Sequence, residues 1–306
     1  MIMEQTSKID PLNGHDKNRQ VLLELLESKE KYIADFDSYR ITGFRSKVIK
    51  FFHILHKYGL RGLWGLSKVL PFSFRCTSKT FWGRPIEIIL PENLMTALFG
   101  TLYGGGDLKL AKFLIKNLKA NDVFYDIGSH IGFFSLVAAE LIETGEVHAF
   151  DPNPKIFPIT KNNLLGRRNC FVNQIALSNK EGEIDFYADL KMGSGLNSID
   201  VVQDRLRKIR VRTTKLDTYC LDHPKPTFMK MDIEGAEGYV IEGGPSVFKE
   251  SSPVVIMEFS RDESHQESVK ALYGMGYKSY EINDEGELER LGLENFISFD
   301  NVVFMK

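Results

Sequence analysis

Residues 122–142 read DVFYDIGSHIGFFSLVAAELI. An apolar run ends at Asp126, a short turn carries Gly128 and Gly132, and a stretch rich in Phe, Leu and Ala follows. That order predicts a buried strand, a tight loop and a helix, the repeating unit of a parallel α/β sheet. Ligands of such sheets sit at the carboxyl ends of the strands, so this loop is the first candidate site. VHAF (147–150), FMKMDI (228–233) and VVIMEF (254–259) have the same texture, near-continuously apolar with a carboxylate at or near the end. Strands covered on both faces look like this.

Seven strands are expected, at Val123–Ile127, Val147–Phe150, Phe171–Ala176, Phe228–Ile233, Val254–Phe259, Lys278–Ile282 and Val302–Phe304. Between the third and fourth, Glu183–Tyr187 and Ile209–Thr213 flank a turn-rich run, KMGSGLNS, and predict an inserted hairpin. Upstream, Arg19–Tyr39 places Val21, Leu22, Leu25, Leu26 and Ile33 at helical spacing. A second, basic helix is expected around Val48, Phe51, Phe52 and Leu55. The expected organisation is a helical, basic extension over residues 1–85 and an α/β domain over 86–306.

Net charge is −2, yet Ile41–Ile86 holds nine Lys or Arg and no Asp or Glu. Aromatic side chains are interleaved with those cations. A helical cap or homo-oligomer contact is the leading expectation for this stretch, with peripheral contact to an anionic membrane second. Nucleic acid is not an expected partner, because the chain is net acidic and lacks an NPPY-type base-flipping motif. The longest run free of Asp, Glu, Lys and Arg is the 14 residues Asn93–Gly106, too short to span a bilayer, for which about 20 are needed. With no signal-like N-terminus and three cysteines in no paired spacing, a cytoplasmic location is expected.

The loop after Asp126 lacks the G-x-G-x-x-G fingerprint of a dinucleotide site and the Gly-Lys-Ser/Thr ending of a P-loop. A cofactor without phosphates needs fewer glycines if a carboxylate meets its ammonium group and a helix N-terminus meets its carboxylate. S-adenosylmethionine carries both groups. Asp151, closing the next strand 23 residues after Gly128, is placed to accept the ribose hydroxyls.

With these features, DVFYDIGSHIGFFSLVAA, VHAFDPNP, NQIALSNKEGEIDFY, TTKLDTY, FMKMDIEGAEGYVIEGG and VVIMEF, in that order, resemble the FkbM family of S-adenosylmethionine-dependent methyltransferases. The resemblance covers about Ala120 to Phe259, with the terminal FDNVVF fitting the last strand, and leaves residues 1–80 outside. It implies a Rossmann-like class I methyltransferase fold with a seven-stranded, mostly parallel sheet, and O-methylation of a hydroxyl on a sugar, glycan or secondary metabolite. The candidate cofactor residues are Asp126, Gly128, Ser129, His130, Gly132, Asp151, Pro152, Ala176 and Asp232. Generic methyltransferases usually carry Gly where this chain has His130; this family commonly does not.

In the fourth strand, alternation puts Lys230 and Asp232 on one face. A lysine there is costly to bury unless it meets a carboxylate or lines a wet cleft. The acceptor hydroxyl must lose a proton, which a base accepts or a metal acidifies. Asp232, Lys230 and His130 are the catalytic candidates. Asp232, Glu234 and Glu258 could hold an optional Mg²⁺. Tyr103, Glu234, Glu237, Ser194 and Asn197 are the candidate acceptor contacts. Two alternatives stay open on sequence alone: a non-catalytic adenosyl-binding protein and an NAD-dependent dehydrogenase.

Overall fold

A computed structural model describes residues 15–37, 73–90, 92–102, 105–188, 207–259, 263–292 and 300–306. The described residues fall into two compact units, 15–102 and 105–306. Most of the basic stretch 41–86, including the expected second helix, lies outside them, as do Tyr103, Ser194 and Asn197.

In the first unit, helix α1 (His15–Asp37) forms where the helical period is read, and buries Leu22, Leu26 and Ile33. A β-hairpin follows, of β1 (Phe74–Lys79) and β2 (Pro85–Leu90), paired antiparallel from Phe74 with Leu90 to Lys79 with Pro85. No strand is expected there from sequence. The apolar side chains of β2 alternate only partly, and the exposed, polar β1 carries no apolar run of its own. The unit continues into helix α2 (Leu94–Phe99).

The second unit is built on an eight-stranded sheet. Its strands are β3 (Val123–Ile127), β4 (Glu146–Phe150), β5 (Cys170–Asn173), β9 (Phe228–Met231), β10 (Val254–Phe259), β11 (Lys278–Ile282), β12 (Leu288–Arg290) and β13 (Asp300–Met305). Their order is β12-β11-β13-β10-β9-β3-β4-β5. The run from β10 to β5 is parallel, and β13 is antiparallel to both its neighbours. Six of the seven expected strands are in this sheet, and the third is in it in part. The eighth, β12, is a three-residue edge strand too short and too charged to show a period in sequence. The strand order reverses at β3, and this opens a crevice at the carboxyl ends of β3 and β9.

The expected third strand is split. β5 ends at Asn173, and Ala176–Leu177 forms β6 of a separate sheet of order β6-β8-β7, with β7 (Gly182–Ala188) and β8 (Arg207–Thr214) as its antiparallel pair. The expected hairpin insertion is therefore present, enlarged by one short strand. Helices α3 (Gly105–Asn117), α4 (Phe133–Ala139), α5 (Phe157–Asn163), α6 (Leu216–Tyr219), α7 (Glu237–Glu242), α8 (Pro245–Glu250) and α9 (Glu263–Gly274) complete the unit. One core joins Tyr125, Met229, Met231 and Met257 of the sheet to Val240, Phe248 and Leu272 of α7, α8 and α9. No helix among the described residues is long and apolar enough to cross a membrane.

Two glycines test the packing in opposite directions. A Cβ on Gly145 would lie 1.8 Å from the Asp122 carbonyl oxygen, whereas one on Gly274, at the end of α9, meets nothing within 4 Å. Gly145→Ala is expected to lower the urea midpoint, and Gly274→Ala to raise stability by about 0.4–1 kcal/mol, as measured by circular dichroism.

Candidate active site

The loop after β3 is a left-handed turn clamped from two sides. Gly128 has φ 81°, His130 φ 48° and Gly132 φ 79°. The Gly128 and Ser129 N–H groups both donate to the Phe150 carbonyl at 3.0 Å, which ties the loop to the end of β4. From α5, the Thr160 hydroxyl donates to the His130 carbonyl, and Asn163 Nδ2 donates to the Ile131 carbonyl at 2.7 Å. Those clamps hold His130 in a conformation that costs a non-glycine residue roughly 1–2 kcal/mol. Gly128 cannot be replaced so easily, because its Cβ would lie 2.0 Å from the Asp232 carbonyl oxygen. The backbones of the two strand-end loops touch at this glycine.

Around that contact the strand ends bring carboxylates together. Asp126 is 1% exposed; Ser135 of α4 donates to its Oδ2 at 2.6 Å. Burial pushes its carboxyl up, opposed by the nearby Lys230 charge and the Ser135 bond. Asp151 is also buried and accepts the Asn153 N–H at 2.9 Å. Burial raises it to about 6, against the backbone bonds from Asn153 and His130.

Lys230 is 4% exposed and lies beside Asp126 across β3 and β9. Its Nζ donates to Asp232 Oδ2 at 2.8 Å and sits 5.2 Å from the Phe134 ring centre. Burial acts to lower the pKa of Lys230, but Asp232, Asp126 and Asp107 outweigh it and raise the ammonium's pKa. Burial likewise acts to raise Asp232, and the ion pair with Lys230 reverses the direction to lowered. Lys230 is therefore a paired, permanently charged group. A neutral lysine base is not what this geometry produces.

Near the end of β10, burial, the neighbouring Asp232 charge and Glu234 push the Glu258 carboxyl up to about 8. This bears on the expected Mg²⁺ site. Among the described residues no three metal-ligating side chains converge. Of the three expected ligands, Asp232 is already paired with the Lys230 ammonium, and the pKa of Glu258 is raised. Mg²⁺ requires ionised oxygens free to form an octahedron, so the donor set does not fit it.

The other expected residues divide. Ser129 is buried in the loop, and Pro152 follows Asp151. Ala176 packs instead with Ile184, Phe186 and Val211 in the core of the small sheet. Glu234 sits at the left-handed apex of the loop after β9, φ 56°. Glu237 is fully buried: Oε1 accepts the Ile233 N–H at 3.0 Å, and Oε2 lies 3.6 Å from His265 Nε2. It braces the loop from within.

Three participants were not among the expected residues. Asp107, in the first turn of α3, is raised to about 6 by burial, with Lys230 opposing and Asp232 reinforcing the shift. It follows a triple glycine that marks a loop but not what the helix start faces. Asn153 is wholly buried beside Asp151, and Phe134 carries the face under Lys230. A cavity of about 520 Å³ also runs along β5 and α6, lined by Phe157, Asn173, Arg212, Tyr219 and His223.

Among the described residues, the buried atoms Asp126 Oδ1, Ser129 Oγ and Asn153 Nδ2 have no hydrogen-bond partner. Each such group costs about 1–3 kcal/mol unless a ligand satisfies it. An adenosyl amino acid, with hydroxyls and an ammonium, has the chemistry to do so.

The family model for the methyltransferase FkbM domain matches residues 126–279. The chain belongs to that family. It is 24% identical over 154 residues to the hexuronic acid methyltransferase AglP of Haloferax volcanii, a match covering 49% of this chain and 62% of AglP. It is 26% identical over 198 residues to the 2-O-methyltransferase NoeI of Sinorhizobium fredii, covering 58% of this chain and 80% of NoeI. The crystal structure of methyltransferase FkbM from Methylobacillus flagellatus KT aligns with a TM-score of 0.42 at 15% identity, over 62% of this chain and 44% of that one, a likeness too distant to add weight.

Asp151 gives a stability test. Its folded pKa lies above its ordinary value of 3.8, so the ionised carboxylate opposes folding. That opposition grows as pH rises from about 4 to about 6 and is constant above. Asp151→Asn is expected to raise the melting temperature of the cofactor-free protein at neutral pH, by about 1–3 kcal/mol of stability, and to leave it nearly unchanged near pH 4.

Proposed function

We propose that this FkbM-family protein transfers a methyl group from S-adenosylmethionine to a hydroxyl of a sugar or glycan. The observation that carries the reading is the pair of buried carboxylates, Asp126 and Asp151, at neighbouring strand ends, with unpartnered buried polar atoms beside them. Asp151 accepts the ribose hydroxyls, Asp126 meets the cofactor's ammonium, and the loop of Gly128, Ser129, His130 and Gly132 passes close beside both. The printed activities of AglP and NoeI support a sugar hydroxyl as acceptor.

When bound, the cofactor supplies an electrophilic methyl group on a good leaving group. The protein's remaining work is alignment and removal of a proton. Asp232 is kept ionised by Lys230, so it can accept a hydrogen bond from the acceptor hydroxyl and orient its oxygen. Lys230 fixes that carboxylate rather than titrating itself. His130 stands close to both Asp151 and Asp232, between the two functions. Glu234, at the strained apex of its loop, is the carboxylate proposed to contact the acceptor.

Titration calorimetry checks the cofactor site. The protein is expected to bind S-adenosylmethionine and S-adenosylhomocysteine, and Asp151→Asn to weaken both at least about tenfold. Unchanged affinity in that variant overturns the role of Asp151. Mass spectrometry of neutral and uronic hexosides incubated with a deuteromethyl donor is expected to show label on a sugar oxygen; label on nitrogen or carbon instead refutes the hydroxyl reading.

A further inference from the structure

The cavity of about 520 Å³ along β5 and α6 shares no lining residue with the cluster of Asp126, Lys230 and Asp232. Its size falls within the roughly 300–1,000 Å³ of small-ligand sites. It adjoins the loop that carries Asp151. Phe157, in its lining, opens the helix after that loop, and the carbonyl of Asn173, also in the lining, accepts the Asp151 N–H at 3.1 Å.

One wall is held by a buried polar chain that the methyl-transfer chemistry does not use. His148, in the middle of β4, is fully buried and hydrogen-bonded at both ring nitrogens. Its Nδ1 lies 2.8 Å from the Tyr219 hydroxyl, and its Nε2 lies 2.8 Å from Glu146 Oε2. Tyr219 is fixed by that chain, and His223 stacks on its ring, with centroids 4.2 Å apart and planes 21° apart. Both rings line the cavity, so it has a preorganised aromatic platform that costs a ligand little ordering. Phe157 adds a half-buried aromatic face.

The polar lining is of mixed sign. Arg212 of β8 and Asp222 after α6 are exposed, and neither is in an ion pair among the described residues. The cross-strand neighbour of Arg212, Glu183, pairs instead with Arg210 at 3.5 Å. Asn173 and Gln174 contribute amides, which both donate and accept. A guanidinium only donates, a carboxylate only accepts, and a hydroxyl does both. A simple ion in this cavity would meet one charge of its own sign. A ligand with several hydroxyls satisfies both, and the C–H side of a sugar ring suits the electron-rich aromatic faces. A nucleobase would stack on the same rings, but has no neighbouring hydroxyls to offer the guanidinium and the carboxylate.

We propose that this cavity is a saccharide-binding site, separate from the methyl-transfer centre, that takes a neutral sugar unit of a glycan on the Tyr219–His223 platform with its hydroxyls on Arg212 and Asp222. No bond is made or broken there. The site goes beyond the reaction proposed above: it holds a glycan at a second point, and its occupancy is measured without turnover.

Saturation-transfer difference NMR of the full chain with maltose, cellobiose and chitobiose tests the proposal. At least one of the three is expected to take up saturation. Arg212→Ala and Asp222→Ala, both at exposed positions, are each expected to weaken that binding at least about tenfold. Saturating S-adenosylhomocysteine is expected to leave the sugar bound. No uptake by any of the three disaccharides overturns the proposal, as does undiminished binding in either variant; both results leave the methyl-transfer reading standing. Displacement of the sugar by S-adenosylhomocysteine assigns the cavity to the cofactor and overturns the proposal equally.

Discussion

The site depends on one buried ammonium. Lys230, in the middle of the parallel sheet, has Asp232 within 2.8 Å, Asp126 on the next strand and Asp107 on a helix start, with an aromatic face beneath it. Its charge lowers the pKa of each of these carboxylates against their burial, and they raise that of the lysine in turn. This mutual dependence makes the cluster a single electrostatic unit, and removing any member changes the charge state of the rest.

The second constraint is steric. Gly128 lets the loop after β3 lie against the carbonyl of Asp232, so the loops after β3 and β9 are in close backbone contact. The ties from Phe150, Thr160 and Asn163 then fix the loop on its other sides. With the loop fixed this way, a non-glycine residue can occupy a left-handed position, which accounts for His130 where a glycine is more usual. The absence of a third glycine counts against a pyrophosphate, and membership of the FkbM family supports an adenosyl cofactor.

Much of this was legible in the sequence because strands buried on both faces carry a strong composition signal. VFYDI, VVIMEF and KSYEI fall within strands whose limits are the expected ones, and the alternation of Lys230 and Asp232 against Met229 and Met231 holds. The β1–β2 hairpin and β12 were not legible, since β1 and β12 are largely exposed and β2, although its isoleucines are buried, lacks a clean period. Asp107 and Asn153 were missed for a different reason. Each is an ordinary polar residue at a turn or helix start, and its burial depends on neighbours distant in the chain.

Sequence by itself determined the parallel α/β architecture, the order of its strands along the chain and the presence of acidic residues at their ends. Those follow from local hydrophobic pattern and chain connectivity. Tertiary structure decided which protonation state each acid holds. The energy of a buried charge depends on the charges and dipoles within a few ångströms, and those come from five separate elements. Hence the pKa of Asp232 is lowered by its lysine partner, that of Glu258 is raised by burial, and Glu237 is an internal brace, although all three are carboxylates within a few residues of a strand end.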